Sequence, residues 1–291
     1  MFKIVSKREL APNITEMLVE APRVAASARP GQFVIVRVDE EGERIPLTIC
    51  DYDREAGTVT IVTQSVGISS AKINALNEGD AFLDFAGPLG RPTDLMDLTD
   101  EELRRTKVLF VAGGVGTAPV YPQAKWLHEK GVRADVIIGA RTKDLFTYVD
   151  EMRRVADVYL ATDDGSAGYH GLVTGLIKDL IDNQGKRYDR CVVIGQMIMM
   201  KFAAQTTKEY NLPTMVSLNA LMVDGTGMCG ACRVSVGGET KFTCVDGPEF
   251  DGHKVDFDEA MRRQAMYRKS PKTDPATHHC ECQGHELNLT K

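Results

Sequence analysis

Three cysteines and one aspartate near the carboxyl end of the chain have the types and spacing of ligands to a small iron–sulfur cluster. Asp224 precedes Cys229, Cys232 and Cys244, and glycines lie in the turns between the first three. With a cysteine in place of Asp224, the spacing would be the C-x4-C-x2-C…C pattern of plant-type [2Fe–2S] sites. Glycine lets the backbone turn tightly and point its N–H groups toward cluster sulfurs. The segment therefore predicts transfer of electrons one at a time.

The residues between Arg233 and Cys244 explain how the last cysteine could join the others. They alternate apolar and polar side chains around Gly237-Gly238, which is a β-hairpin signal. A hairpin here would return Cys244 to the side of Cys229 and Cys232. Zinc is the chemical alternative, because three cysteines and an aspartate also bind zinc tetrahedrally. Zinc ligands come more often as two C-x2-C pairs, so the spacing favours iron and sulfur.

Asp224 is the unusual member of the ligand set. A carboxylate oxygen is a harder ligand than a thiolate, and it can take up a proton. We therefore predict that Asp224 ligates an iron and makes the potential of the cluster depend on pH. The alternative is that Asp224 closes the turn by accepting backbone hydrogen bonds while another residue is the ligand.

The composition places these residues in a globular protein of two or three domains. The chain has 291 residues, 43% of them hydrophobic and 26% charged, with a net charge of −6. A mildly acidic chain does not favour nucleic acid as a general partner. No stretch approaches the roughly 18 apolar residues of a membrane span, and the first residues do not resemble a signal peptide. Three of the seven cysteines lie within residues 229–244, and such a set without a secretion signal indicates metal ligation in a reducing compartment, so we expect a cytoplasmic protein.

Two different patterns precede the cysteine segment. Residues 1–100 read as short strands separated by turn signals, with one helix that begins near Ser69, and they predict an antiparallel barrel. Residues 101–218 alternate apolar strands with helices, which predicts a doubly wound parallel sheet. The expected fold class is thus a β barrel plus an α/β domain, followed by a small C-terminal [2Fe–2S] domain.

The second pattern contains three loops that could bind a nucleotide. A glycine-rich turn links the first strand of this region to a helix, where backbone N–H groups attract phosphate. Its candidate residues are Gly113, Gly114, Gly116 and Thr117. Asp163, Asp164 and Gly195 follow later strands, at the sheet edge where such folds bind ligands. Alternatively, the aspartates cap a helix and the methionines after Gly195 pack in the core.

The first pattern contains two segments that could bind a diphosphate. Arg44 comes directly before an extended run in which Pro46, Leu47 and Thr48 lie, and its guanidinium could pair with phosphates. The alternative is an exposed arginine of the barrel. Near the start of the single helix, Gly67, Ser69 and Ser70 form a second anion-binding turn.

Together these segments resemble the ferredoxin–NADP reductase superfamily over residues 1–252. The arginine–proline and serine-rich segments resemble its flavin-binding signatures, and the glycine-rich turn resembles its nicotinamide-nucleotide loop. The run from Gly195 to Met199 resembles its C-G-P-x-x-M segment, with Ile194 and Gln196 in place of Cys and Pro. The cysteine segment narrows the resemblance to electron-transfer subunits of the dihydroorotate dehydrogenase B type. An aspartate as first ligand is similar to small subunits of NADH-dependent reduced ferredoxin:NADP oxidoreductases, also known as sulfide dehydrogenases.

The resemblance implies an NAD(H)-linked electron-transfer subunit of a bifurcating enzyme, with a larger flavin and iron–sulfur partner that reacts with ferredoxin. It implies FAD on residues 1–100, NAD(H) on residues 101–218, the cluster on residues 219–252 and a partner-docking or partly disordered extension over residues 253–291. For FAD it selects Arg44, Pro46, Leu47, Thr48, Gly67, Ser69 and Ser70. For NAD(H) it selects Gly113, Gly114, Gly116, Thr117, Asp163, Asp164 and Gly195. For the cluster it selects Asp224, Cys229, Cys232 and Cys244.

Two other functions stay open on the sequence alone. One is the electron-transfer subunit of dihydroorotate dehydrogenase B, in which the first ligand is a cysteine. The other is a zinc-bearing, nucleotide-sensing module without redox turnover, which would be colourless. The tail residues His278, His279, Cys280 and Cys282 could bind a further metal, although a tail that is disordered or docks on the partner is favoured.

Overall fold

A seven-stranded antiparallel sheet that curls into a nearly closed barrel forms the first part of the molecule. The computed structural model describes residues 1–266. The barrel strands are β1 (Phe2–Ala11), β2 (Ile14–Glu20), β3 (Phe33–Arg37), β4 (Ile45–Asp53), β5 (Thr58–Gln64), β6 (Ala81–Phe82) and β7 (Asp84–Leu89), and its helices are α1 (Pro22–Ser27) and α2 (Ile68–Ala75). Their spatial order is β6-β1-β2-β5-β4-β3-β7. The alternation of apolar and polar residues along these strands explains the barrel, because the inward side chains, such as Met17, Val19 and Ile61, are fully buried.

The second part of the molecule is a mostly parallel sheet with helices on both faces. Its helices are α3 (Asp100–Arg105), α4 (Thr117–Glu129), α5 (Val149–Val155), α6 (Val173–Lys178), α7 (Met197–Glu209) and α8 (Phe257–Ala265). The strands from here to the end are β8 (Val108–Gly113), β9 (Ala134–Ala140), β10 (Ala156–Thr162), β11 (Tyr169–His170), β12 (Arg190–Ile194), β13 (Thr214–Ser217), β14 (Arg233–Val236), β15 (Glu239–Phe242) and β16 (Glu249–Asp251). The sheet order is β11-β10-β9-β8-β12-β13-β16.

Central strand β8 shows why this sheet is covered on both sides. Leu109 and Val111 belong to one apolar core, whereas Phe110 and Ala112 belong to the other. Continuous apolar runs of this kind are typical of parallel strands that are buried on both faces. The strand order reverses between β8 and β12, and open α/β sheets bind their ligands in the crevice at such a switch point.

The cysteine-bearing segment lies between β13 and β16 in the chain and contacts both sheets. Strands β14 and β15 pair as the predicted hairpin, and Gly237 and Gly238 turn it with φ of 61° and 81°. The segment then returns to the second sheet, because β16 pairs antiparallel with β13. Helix α8 follows and packs against α7 and β14. Within residues 1–266, no helix combines the length and apolar character needed to cross a bilayer.

A buried carboxyl group marks the junction of the barrel, α4 and β16. Glu249 accepts a hydrogen bond of 2.6 Å from Gln123 Nε2, and its other carboxyl oxygen has no partner among the described residues. Gly31 of the barrel lies close by, since a Cβ built there would be 3.3 Å from Glu249 Oε1. Burial raises the pKa of Glu249 from 4.5 to about 7.

The raised pKa predicts how the stability of the protein depends on pH. The folded state binds the proton of Glu249 more tightly than the unfolded state, so this contribution is complete below about pH 4.5 and is lost as pH rises to about 7. The shift corresponds to roughly 3 kcal/mol of unfolding free energy. We expect Glu249→Gln, a neutral side chain of the same shape, to remove this part of the pH dependence. Denaturant unfolding of both proteins between pH 5 and 8 measures it, and parallel curves would contradict the assignment.

Candidate functional site

The two most buried cysteines of the segment face each other. Cys232 Sγ lies 3.3 Å from Cys244 Sγ, both residues are 2% exposed, and neither is in a disulfide. Thiolates that share one tetrahedral metal are about 3.8 Å apart for bonds of roughly 2.3 Å. A small displacement would therefore let these two cysteines bind one metal ion. Cys229, the third candidate, is exposed at the surface of the same segment.

The carboxylate of Asp224 closes the turn that leads to Cys229. It accepts hydrogen bonds from Thr226 N at 2.9 Å and from Cys229 N at 3.0 Å. These bonds, that from Thr226 first, lower the pKa of Asp224 below its ordinary value. Asp224 thus lies beside the candidate ligands, but its role here is that of the turn-closing alternative. Across residues 1–266, no three His, Cys, Asp or Glu side chains are arranged to hold a metal ion, and ligation by Asp224 stays a prediction.

The surroundings of the cysteines fit a cluster. Gly225 and Gly227 have φ of 78° and 83°, and a Cβ on either would lie within 3.0 Å of a neighbouring side chain. Burial and the neighbouring Cys232 thiol raise the pKa of Cys244 to about 12. The backbone N–H of Gly227 faces the sulfur of Cys244 and opposes this rise. A cavity of about 290 Å³ opens beside Cys229, but Asp224, Cys232 and Cys244 do not line it. The fit to a small iron–sulfur cluster therefore depends on the free thiols and on the backbone N–H that faces the sulfur of Cys244.

Arg44 links the barrel to the cysteine segment. Its Nε donates to the carbonyl oxygen of Val223 at 2.7 Å, and its Nη1 lies 3.5 Å from the carboxylate of Asp84. Val223 directly precedes Asp224, so the candidate flavin segment and the candidate cluster segment are in contact. The sequence predicts that the guanidinium of Arg44 pairs with a diphosphate. In this structure the guanidinium joins the candidate flavin segment to the candidate cluster segment.

The other residues selected for FAD lie around Arg44. Pro46, Leu47 and Thr48 form the start of β4, which pairs with β3. Glu43 accepts a hydrogen bond from Ser69 and so ties this strand to the start of α2. Ser70 Oγ accepts from the backbone N–H groups of Val66 and Gly67 at 2.9 and 3.0 Å. Among residues 1–266, no atom would lie within 4 Å of a Cβ at Gly67, so the backbone there is open to an approaching ligand. The two predicted anion-binding segments therefore share one face of the barrel.

The residues selected for NAD(H) divide into two groups. Gly113 and Gly195 face each other across the switch point. The side chain of Met199 fills the space that a Cβ on either glycine would need. Thr117 Oγ1 donates to Gly114 O at 3.0 Å and shapes the turn before α4, where Gly116 also lies.

Asp163 and Asp164 form an exposed turn after β10, which is separated from β8 by strand β9. The backbone N–H of Asp163 donates to Ala140 O at 3.2 Å, which holds this turn on β9. Asp164 Oδ1 accepts from Ser166 N at 2.9 Å, and the contacts with Ser166 lower the pKa of Asp164. Asp164 therefore closes a turn between β10 and β11 and does not cap a helix, because α6 begins only at Val173.

Sequence reasoning missed Glu43, Asp84 and Tyr148. Tyr148 of the second sheet donates to Glu16 of the barrel across 132 residues of sequence. No local pattern signals such a pair, because each residue alone is compatible with an ordinary surface position. The proline-fixed start of β4 was the only hint that side chains near Arg44 would converge. The proposed tail site, His278 to Cys282, lies outside the described residues.

Known proteins resemble this chain over most of its length. Residues 219–256 match the family described as the iron–sulfur cluster binding domain of dihydroorotate dehydrogenase B. The homolog of the dihydroorotate dehydrogenase B (NAD(+)) electron transfer subunit from Thermotoga maritima is 46% identical over 93% of each chain. The electron transfer subunit of dihydroorotate dehydrogenase B from Streptococcus pneumoniae is 35% identical over 85% of this chain and 94% of its own.

A solved structure agrees with these relatives. A chain of NADH-dependent reduced ferredoxin-NADP oxidoreductase, described for flavin-based electron bifurcation, has 44% identity and a TM-score of 0.85 over 92% of this chain and 94% of its own. Fold and site together define an oxidoreductase subunit of the ferredoxin reductase type with an added iron–sulfur cluster binding domain. The chain belongs to the family of dihydroorotate dehydrogenase B electron transfer subunits and their homologues. The predicted resemblance, fold class and enzyme class are confirmed.

Proposed function

We propose that this chain is the NAD(H)-linked subunit of a bifurcating NADH-dependent reduced ferredoxin:NADP oxidoreductase, and that it carries electrons between NAD(H), FAD and a [2Fe–2S] cluster. The observation that carries the proposal is the contact between Arg44 and Val223, because it brings the flavin segment against the cluster segment. The solved relative with 44% identity and the aspartate at the first ligand position support this enzyme over a dihydroorotate dehydrogenase.

Each cofactor has residues that fit it. Arg44, together with the turn around Gly67 and Ser70, would hold the diphosphate of FAD against β4. The glycine turn at the start of α4 would hold the diphosphate of NAD(H), since a helix N-terminus and free backbone N–H groups favour anions. Cys232 and Cys244 would bind one iron of the cluster, and Cys229 with Asp224 the other. When bound, FAD exchanges electron pairs with nicotinamide and single electrons with the cluster.

The surface beside the cluster segment supports a larger partner subunit. Val223, Met228 and Val245 are apolar and exposed, and Met228 is 88% exposed directly before Cys229. Exposed apolar side chains grouped around a site indicate a protein interface. We propose that a larger flavin and iron–sulfur subunit covers this surface and takes or supplies the single electrons. Ferredoxin would then react with that subunit.

Anaerobic purification of the native complex tests the proposed function. We expect a coloured protein with iron, acid-labile sulfide and FAD, whose flavin is bleached by NADH. Together with its partner it should couple NADH, NADP+ and ferredoxin. Electron transfer from dihydroorotate instead would favour the second candidate, the dihydroorotate dehydrogenase B subunit. A colourless protein that contains zinc would contradict both.

Arg44→Ala is expected to weaken FAD binding about 10- to 100-fold, the effect of losing a charge-assisted hydrogen bond worth roughly 1.5–3 kcal/mol. Arg37→Ala is the matched control. Arg37 donates to the same Asp84 carboxylate, at 2.7 Å, but its polar contacts within residues 1–266 are with Asp84 and Glu40 and not with the cluster segment. Flavin fluorescence released on dilution of each variant measures the loss. Equal FAD retention by both variants would rule out Arg44 as a flavin-binding residue.

A further inference from the structure

The barrel and the second sheet meet at a small core around Tyr148. Tyr148 packs there with Cys50 and Ala118, and all three side chains are buried. Cys50 lies on β4, two residues after Thr48 of the candidate flavin segment. Ala118 follows Thr117 at the start of α4, next to the candidate nucleotide turn. Tyr148 therefore lies between the segments that would hold the two reacting cofactors.

Polar contacts fix the same junction from outside. The hydroxyl of Tyr148 donates to Glu16 on β2. Arg8 on β1 then pairs with Glu16 and also with Glu151 on α5, at 3.1 Å each. We call these four side chains the interdomain clasp. Two of them belong to the barrel and two to the second sheet, so the clasp fixes the relative position of the two parts.

The backbone of Tyr148 is strained. Its φ of 58° and ψ of 19° lie in the left-handed region, which bulky residues rarely adopt. Such a conformation persists only where the surroundings hold it. Here the ring is held against Tyr121, with ring centroids 5.4 Å apart, and the hydroxyl is held by Glu16. Burial raises the pKa of Tyr148, so the hydroxyl keeps its proton and remains a donor.

We propose that Tyr148 is a positioning residue that sets the distance between nicotinamide and flavin by holding α4 and α5 against β4 and β2. The inference rests on the proposed function, because it needs both cofactors to react at this junction. Transfer between two bound groups is very sensitive to distance, and a displacement of about 1 Å can slow it roughly 100-fold. Tyr148 would touch neither cofactor and would act through the packing of the two parts.

Tyr148→Phe in the full chain tests the inference, since it removes the hydroxyl and keeps the ring. We expect the content of FAD and iron and the dissociation constant for NAD+ to stay within about twofold, because the cofactor-binding residues are intact. The rate of flavin reduction by NADH, measured by anaerobic stopped flow, should fall about 10-fold or more. A rate within twofold of the wild type would overturn the inference.

Two further variants separate positioning from general stability. Tyr188→Phe removes a hydroxyl that donates to Asp135 at 2.6 Å inside the second sheet, and we expect it to leave the rate unchanged. Glu16→Gln in the otherwise wild-type chain keeps an oxygen that can accept from Tyr148, so it should retain most of the rate. Equal slowing in Tyr148→Phe and Tyr188→Phe would overturn the inference. A wild-type flavin that NADH does not reduce would overturn the proposed function as well.

Discussion

Cys244→Ala is expected to abolish the iron–sulfur cluster while leaving the flavin reducible by NADH. Cys244 is buried against Cys232, so its loss removes one of the two thiolates that could share a metal ion. Removing even an outer-shell partner of a metal site costs roughly 10- to 100-fold, and a ligand should cost more. Iron content should therefore fall about 10-fold or more. Iron and sulfide analysis, with EPR spectra after reduction by NADH, measures both effects.

Cys191→Ala is the matched control for this loss. Cys191 is equally buried and free, but it lies on β12 in the second sheet, away from the cluster segment. Its replacement removes the same atom and should leave the iron content unchanged. If both variants lose iron alike, the loss reflects unfolding and not ligation. If neither does, Cys244 is not a ligand.

Asp224→Cys completes the comparison, because the structure leaves two roles for this carboxylate. As a ligand, Asp224 would give way to a thiolate, and both the EPR spectrum and the potential of the cluster would change. If Asp224 only closes the turn, the EPR spectrum of the Asp224→Cys variant should stay the same. The turn would then lose the hydrogen bonds that Thr226 and Cys229 donate to the carboxylate. The result decides whether protonation of a ligand can make the potential depend on pH.

The sequence predicted the parts of the fold that depend on local patterns. The strands of the barrel follow period-two alternation, and those of the second sheet follow continuous apolar runs, so both sheets could be expected. The hairpin around Gly237-Gly238 formed as predicted, because paired glycines favour the positive φ values that the turn needs. The glycine-rich turn also lies where the sequence places it, directly after β8, and its role in nucleotide binding stays a prediction.

Pairings between distant segments could not be predicted. Strand β16 follows the cysteines in the chain but pairs within the second sheet. This pairing could not be predicted, because a strand of three residues carries too little pattern to reveal its partner. The contact of Arg44 with Val223 spans 179 residues, and that of Tyr148 with Glu16 spans 132. Such contacts depend on how two completed domains pack. The candidate residues were therefore easier to name than the geometry that would make them work together.

Gly116→Ala is expected to destabilise the second sheet more than any other single glycine change in the nucleotide turn. Gly116 has an ordinary φ of −61°, so alanine meets no conformational penalty there. Its Cβ would instead lie 2.2 Å from the carbonyl oxygen of Ile194, a backbone atom at the end of β12. Helix α4 would have to move away from the switch point. Overpacking of this kind costs about 3 kcal/mol or more when a backbone cannot yield.

Gly114→Ala in the same turn is the matched comparison. Gly114 has φ of 57°, but a Cβ there meets nothing within 4 Å in the described part of the chain, so only the left-handed backbone is penalised, by about 1–2 kcal/mol. Both variants should weaken binding of NAD+, one by moving α4 and the other by placing a methyl group in the space where the diphosphate would lie. Denaturant unfolding and NAD+ titration separate the two causes. Equal losses of stability would show that α4 does not depend on close contact with β12, and the glycine at 116 would then be needed only for the nucleotide.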